Sequence, residues 1–244
     1  MGLYKAGFDV VGVDIHPQPR YPFEFHQADA VKHRLRGFDL IWASPPCQAF
    51  TRLRHLHPKE RPNLIPSLRA RLSASGIPYV IENVEEAPLG GDNLILLCGT
   101  MFELRTSDGR AELRRHRLFE TSFSIPLRPR CQHGYIPSLS VCGKGGHFTA
   151  VDNRRPATLS VCGTGLDDNK MRNVRARTIS VTGSTPQTNV VRNVVREVFT
   201  VQQAREAMEI GWMSMKGLSQ AIPPAYAQFI AEQFLQQHQT PRET

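Results

Sequence analysis

Two short phrases bring together residue types that could act on one substrate. The first is Ala43-Ser44-Pro45-Pro46-Cys47-Gln48-Ala49-Phe50-Thr51, which follows directly on the apolar run 38–43. A Pro-Pro pair stiffens the backbone, so Cys47 is expected on a rigid turn at a strand's carboxyl end, well placed to act as a nucleophile. The second is Ile81-Glu82-Asn83-Val84, which closes the apolar run 77–81. Adjacent parallel strands would bring Cys47 and Glu82 to the same edge, where a thiol and a carboxylic acid could attack and protonate one substrate. A second carboxylic acid, Asp14, ends the run Gly7-Phe8-Asp9-Val10-Val11-Gly12-Val13-Asp14. A carboxylate at such a strand end is a ribose-binding device.

The elements that must position these residues follow from the apolar pattern. Residues 8–13, 38–43, 77–81 and 94–97 are four short, nearly continuous apolar runs, as in a parallel sheet covered on both faces. Leu64, Leu68 and Leu72 recur at helical spacing and stop at Gly76. Such units predict a doubly wound, mostly parallel α/β domain with ligands beyond the carboxyl ends of its strands. From about residue 122 Ser, Thr, Gly and Arg dominate. A phrase recurs there at a spacing of twenty, as Ser138-Leu139-Ser140-Val141-Cys142-Gly143, Thr158-Leu159-Ser160-Val161-Cys162-Gly163 and Thr178-Ile179-Ser180-Val181-Thr182-Gly183. Three copies predict a small antiparallel β module or repeated hairpins, too few for a solenoid. Val201, Ala204, Ala207 and Met208 mark a helix ending at Gly211. Pro223-Pro224 starts a last helix, with Tyr226, Phe229, Ile230 and Phe234 as its apolar stripe.

Pro46-Cys47-Gln48 and Glu82-Asn83-Val84, in this order, resemble the motifs of the DNA (cytosine-5)-methyltransferases, especially short phage-type members. The resemblance implies a methyltransferase-type α/β fold with a small β-rich target-recognition insertion. It further implies transfer of the methyl group of S-adenosylmethionine to carbon 5 of cytosine in duplex DNA. Cys47 would add to carbon 6 of a flipped-out cytosine while Glu82 protonates ring nitrogen 3, and base extrusion is required because the reacting atoms are unapproachable in the stack. Asp14 and Ile15 resemble the strand end that binds the cofactor's ribose, and Asp29-Ala30 the next one, which receives the adenine amino group. Arg115-His116-Arg117-Leu118-Phe119 resembles the arginine motif, without the leading Gln of the commoner version, and implies catalytic places for Arg115 and Arg117. Leu218-Ser219-Gln220-Ala221-Ile222-Pro223-Pro224 resembles the closing cofactor motif, with Ser219-Gln220 replacing Gly-Asn. Pro45, Gln220 and Ala221 are thereby expected at the cofactor. The resemblance implies a catalytic region 1–122, a target-recognition region 123–195 and a helical return 196–244.

One departure concerns the cofactor. The family's Gly-rich turn, which cradles the methionine half, has no counterpart, and Met1-Gly2-Leu3-Tyr4-Lys5-Ala6-Gly7 resembles the tail of the helix that should follow it. Two explanations stand: a start codon placed too far downstream, or a truncation with a weakened cofactor site. Alternative functions accordingly stay open: a catalytically impaired DNA-binding remnant, or an enzyme acting on free cytidine nucleotides.

The net charge of +8 supports a polyanionic partner once it is located along the chain. Residues 101–200 carry 16 basic and 8 acidic side chains, whereas 1–100 carry 11 and 10. The excess is mostly Arg, 24 against 6 Lys, the residue suited to bidentate phosphate and base-edge contacts. Arg128, Arg130, Arg154, Arg155, Arg172, Arg175 and Arg177 are expected to touch DNA, as are Gln48 and Thr51 beside the nucleophile. Cys131, His133, Cys142, His147 and Cys162 could in principle hold zinc. Their spacing is weak, and Cys142 and Cys162 occupy equivalent repeat positions where core side chains are expected, so no metal is expected. Cys98, after four apolar residues, is expected to be structural. The five Cys form no CxxC pair, which argues against a disulfide scaffold and for a reducing compartment. No apolar run is long enough to span a membrane and no signal peptide is readable. These features predict a cytoplasmic monomer in a bacterial or phage-infected cell.

Overall fold

The computed structural model describes residues 1–50, 62–109, 111–133 and 200–238, together with the backbone of four strands between 138 and 182. In chain order the elements begin with α1 (Gly2–Lys5), β1 (Val11–Asp14), β2 (Glu24–Gln27), β3 (Ile41–Ala43), α2 (Ile65–Ser75), β4 (Tyr79–Asn83) and β5 (Leu94–Leu97). A 3-10 turn, Gly99–Phe102, leads to β6 (Glu112–Leu113), β7 (Arg117–Thr121), β8 (Ser138–Ser140), β9 (Gly145–Val151), β10 (Thr158–Ser160) and β11 (Ala176–Thr182). Three helices follow: α3 (Val201–Met208), α4 (Met215–Gln220) and α5 (Pro224–His238). The chain divides into two compact units. One comprises Met1–Leu97, His116–Arg128 and Ala227–Thr244, and the other Cys98–Arg115 and Pro129–Tyr226. Among the described residues no helix is long and apolar enough to cross a membrane.

The first unit is built on a four-stranded sheet ordered β3-β4-β7-β5 and a separate parallel pair, β1-β2. This corrects the expected doubly wound, mostly parallel sheet. Only one neighbouring pair in the four-stranded sheet, β3 and β4, is parallel, while β7 lies antiparallel to both β4 and β5. Apolar runs report that a strand is covered on both faces, and a central antiparallel strand is covered just as well. Strand direction is therefore invisible to that signal. In addition, β7 mixes Arg117, Glu120 and Thr121 with its apolar residues, so its sequence does not read as a buried run.

Helix α2 matches its periodicity. Asn63 Oδ1 accepts the Ile65 N–H at 3.0 Å, and Gly76 ends the helix with φ 69°, a left-handed conformation that favours glycine. Its buried face, Leu68 and Leu72, packs with Ile81 of β4, flanked by Leu35, Ile41, Ala43, Tyr79 and Leu89. Polar contacts tie the same helix to β7. Arg69 donates from Nε and Nη2 to the two carboxylate oxygens of Glu120, each at 2.6 Å, and Glu120 is 5% exposed. The Gly90 N–H also donates to Glu120 Oε2 at 3.1 Å. A bidentate pair of this kind satisfies a carboxylate that burial would otherwise penalise.

In the second unit a mixed five-stranded sheet is ordered β11-β9-β10-β8-β6. The three repeated phrases supply β8, β10 and β11. Copies one and two pair in parallel with no offset in the repeat, Ser138 opposite Thr158 and Ser140 opposite Ser160. Copies two and three flank β9 antiparallel at matching positions, since Thr158 and Thr178 both face Thr149, and Leu159 and Ile179 both face Phe148. The repeat therefore acts as a register code. It does not form the all-antiparallel module that its spacing suggested. Helix α3 begins with a capping box in which Thr200 Oγ1 accepts the Gln203 N–H and Gln203 Oε1 accepts the Thr200 N–H, each at 3.1 Å. On α3, Glu206 Oε2 accepts the Ser107 hydroxyl at 2.8 Å and the Ser107 N–H at 3.3 Å.

Two outcomes are expected. Glu120→Ala should lower the stability of the first unit by about 3 kcal/mol in chemical denaturation, because Arg69 loses its carboxylate and the Gly90 N–H its acceptor. The Ser107 hydroxyl, with Gln202, holds the Glu206 carboxyl below its ordinary value. Its contribution is therefore present above the ordinary carboxylate range and is lost as pH falls through the depressed value. The gap in melting temperature between the natural protein and Ser107→Ala should accordingly be open at neutral pH and close on acidification.

Candidate active site and a thiol–imidazole cluster

The β3–β4 register sets the first site. Ala43 lies opposite Ile81, so the chain leaves β3 for the Cys47 turn at the sheet end where β4 reaches Glu82 and Asn83. The turn is closed by the Phe50 N–H donating to the Cys47 carbonyl at 2.9 Å. It is fastened to β4 by Asn83, whose Nδ2 donates to the Pro45 carbonyl at 2.9 Å while its Oδ1 accepts the Val84 N–H at 2.9 Å. Asn83 is 1% exposed, so both ends of its amide are committed and its rotamer is fixed. Glu82 is 7% exposed, and its Oε1 lies 3.3 Å from Arg117 Nε on the neighbouring antiparallel strand. Arg117 Nη1 donates to the His116 carbonyl at 2.6 Å, and His116 Nδ1 lies 3.4 Å from Glu85. Cys47, Glu82 and Arg117 thus belong to one unit, Glu82 and Arg117 on neighbouring strands of one sheet and Cys47 on the turn that follows β3.

Arg115 is placed differently. It belongs to the second unit, is 3% exposed, and donates from Nη2 to the carbonyls of Ser219 at 2.8 Å and Ala221 at 2.6 Å. Its own carbonyl accepts the buried Tyr226 hydroxyl at 2.6 Å. These bonds give Arg115 a positioning role, closing the turn after α4. Gln220 is the last residue of α4 and Ala221 caps it, in the second unit.

Of the residues expected at a cofactor, Asp14 ends β1, and Asp29 and Ala30 follow β2 in the same unit. Asp14 is opposite Gln27, and the Ala28 N–H donates to the Asp14 carbonyl at 3.0 Å. Asp14 Oδ1 accepts the His16 N–H at 2.8 Å and Oδ2 accepts from Gln18 Nε2 at 3.2 Å. Asp29 Oδ1 accepts the Val31 N–H at 2.9 Å. Each carboxylate oxygen retains acceptor capacity. The Tyr21 ring covers Gly12 so closely that a Cβ there would meet its Cε1 at 2.5 Å. Two acceptor carboxylates at adjacent parallel strand ends, beside the 58% exposed Ile15 and the exposed Ala30, fit the hydroxyl and amino donors of an adenosine group.

Of the residues expected at DNA, Gln48, Arg128 and Arg130 are exposed, and Arg128 Nη1 donates to the Leu94 carbonyl at 3.0 Å. Arg177 lies on β11, whereas Thr51, Arg154, Arg155, Arg172 and Arg175 lie outside the described residues.

A second cluster joins Cys98 to the Cys131-x-His133 pair. In the second unit the sulfurs of Cys98 and Cys131 and a ring nitrogen of His133 lie within 4.8 Å of one another. Cys98 Sγ is 3.6 Å, and Cys131 Sγ 2.7 Å, from His133 Nε2. Thr100 Oγ1 donates to Cys98 Sγ at 3.4 Å and lies 3.6 Å from Cys131 Sγ. Burial pushes the Cys131 thiol up to about 11, against the opposing Thr100 hydrogen bond. Cys98 is fully buried at the start of the 3-10 turn, where a Cβ on Gly99 would collide with the Leu113 carbonyl oxygen of β6. The Cys131-x-His133 pair was legible as a ligand pair. Cys98 was hidden by the apolar run before it, and Cys142 and Cys162 lie outside the described residues.

No protein-family model matches the chain, and no curated protein matches its sequence.

The placement of Arg115 gives a direct test. Arg115→Ala leaves two carbonyls unmet and should destabilise the second unit by about 3 kcal/mol, and Tyr226→Phe by about 1 kcal/mol, in denaturant titrations. An Arg115→Ala protein of unchanged stability would remove the positioning role.

Proposed function

We propose that this protein transfers a methyl group from S-adenosylmethionine to carbon 5 of cytosine in duplex DNA through a covalent Cys47–cytosine adduct. The observation that carries the reading is the fastening of the Cys47 turn to β4 by Asn83, at the strand end that also bears buried Glu82 and its partner Arg117. A nucleophile, an acid and a cation held on adjoining strands suit addition to an electron-poor ring.

In this reading the Cys47 thiolate adds to carbon 6 of an extruded cytosine. Glu82, in its acid form, gives its proton to nitrogen 3 as addition raises the basicity of that atom. Carbon 5 thereby becomes nucleophilic. S-Adenosylmethionine, when bound through Asp14 and Asp29, supplies the electrophilic methyl group. Nitrogen 3 returns its proton to Glu82 as the methyl group is transferred, and loss of the carbon 5 proton to solvent then expels the Cys47 thiolate and restores aromaticity. Arg117 orients the Glu82 carboxyl and presents positive charge to the base's carbonyl oxygen. Arg128 and Arg130, exposed at the start of the Arg-rich segment, suit phosphate contacts.

Duplex DNA carrying 5-fluorocytosine should trap a covalent adduct in the presence of S-adenosylmethionine. Cys47→Ala should abolish the adduct, and Glu82→Gln should slow methyl transfer by at least about 100-fold in single-turnover assays while leaving DNA affinity near the natural value. A persistent adduct on Cys47→Ala would overturn the nucleophile assignment. DNA binding without cofactor binding would favour the impaired-remnant reading. Affinity falling steeply with salt is expected for duplex DNA and not for free cytidine nucleotides.

A further inference from the structure

We infer that Cys98, Cys131 and His133 form a zinc site. Two sulfurs and an imidazole are the donor set that selects a thiophilic divalent d10 cation over magnesium or calcium. The geometry fits. Zinc–sulfur and zinc–nitrogen bonds of about 2.3 and 2.0 Å in a tetrahedron separate the sulfur and nitrogen by about 3.6 Å. Cys98 Sγ and His133 Nε2 are 3.6 Å apart. Cys131 Sγ stands closer to the same nitrogen, at 2.7 Å, and a cation between them widens this contact by less than about 1 Å.

The surroundings are those of a metal site. Thr100 lies within hydrogen-bonding reach of both sulfurs, as outer-shell groups do for coordinated thiolates. Cys98 is anchored by its own N–H, which donates to the Met101 sulfur at 3.3 Å, and by the tight seat of Gly99 under Leu113. Three protein ligands leave a fourth position for water or a further side chain. The cluster binds Cys98 to a residue 35 positions further along the chain, in the loop that opens the Arg-rich segment. A metal there fixes that segment's starting point, supplying a constraint that a Ser-, Thr- and Gly-rich sequence with few apolar residues does not.

The full chain, purified without chelator and desalted, should carry about one zinc per molecule by elemental analysis. Cobalt substituted for it should give the visible bands of tetrahedral coordination and a thiolate charge-transfer band. Cys98→Ser, Cys131→Ser and His133→Ala should each lose the metal, and Thr100→Val should weaken binding about 10- to 100-fold. Cys47→Ser, Cys142→Ser and Cys162→Ser should keep it. Should a ligand variant fail to fold, X-ray absorption on the natural protein decides, with two sulfurs at about 2.3 Å expected. Folded protein without zinc, zinc retained after loss of Cys98 and Cys131, a sulfur count other than two, or zinc lost from Cys142→Ser or Cys162→Ser would each overturn the assignment.

Discussion

A carboxylate taken out of water must be met by a cation or by several donors, and the first unit meets two such carboxylates through one strand. Strand β7 carries Glu120, gripped by Arg69 of α2, and Arg117, which reaches Glu82 of β4. These contacts fix how α2 lies on the sheet and where Glu82 points. Strand β7 can do both because it lies between β4 and β5, antiparallel to each. Slipping its register by one residue would carry Arg117 and Glu120, which stand on opposite faces of the strand, each away from its partner. Two buried charges would then be left unmet.

The proposed chemistry depends on that arrangement at one remove. Glu82 and Cys47 leave neighbouring parallel strands at the same end, and Asn83 converts this proximity into a fixed relation by bonding the Pro45 carbonyl. A Pro-Pro turn alone would be stiff but unanchored. Asn83 contributes no reacting atom, yet it tethers the nucleophile's turn to the acid's strand. In the second unit Arg115 plays a comparable part with backbone carbonyls, and its burial separates it from Arg117, two residues further on.

The second unit solves a different problem. Its sheet is rich in short strands, three of them from one repeated phrase, and equivalent repeat positions align across β9. Identical phrases pair well in register, but they leave open where the sheet begins. The Cys98–Cys131–His133 cluster lies at that beginning, between the 3-10 turn and the segment's first loop.

Much of this was legible in the chain. The end of α2 at Gly76, the strand at Leu94–Leu97 and the helix marked by Val201, Ala204, Ala207 and Met208 follow from local pattern, because capping, periodicity and turn chemistry act over a few residues. The repeat's twenty-residue period marked three of the strands of the second unit's sheet, without their pairing. Strand direction was not legible, since apolar runs encode burial and carry no arrow. Nor was the division between Arg115 and Arg117, or the meeting of Cys98 with Cys131 and His133. Those depend on which distant carbonyl, carboxylate or sulfur the fold brings within hydrogen-bonding range. Sequence by itself determined which residues could do chemistry and which short elements carry them. Tertiary structure decided which of those residues meet, because buried charges and thiols are satisfied by partners far along the chain.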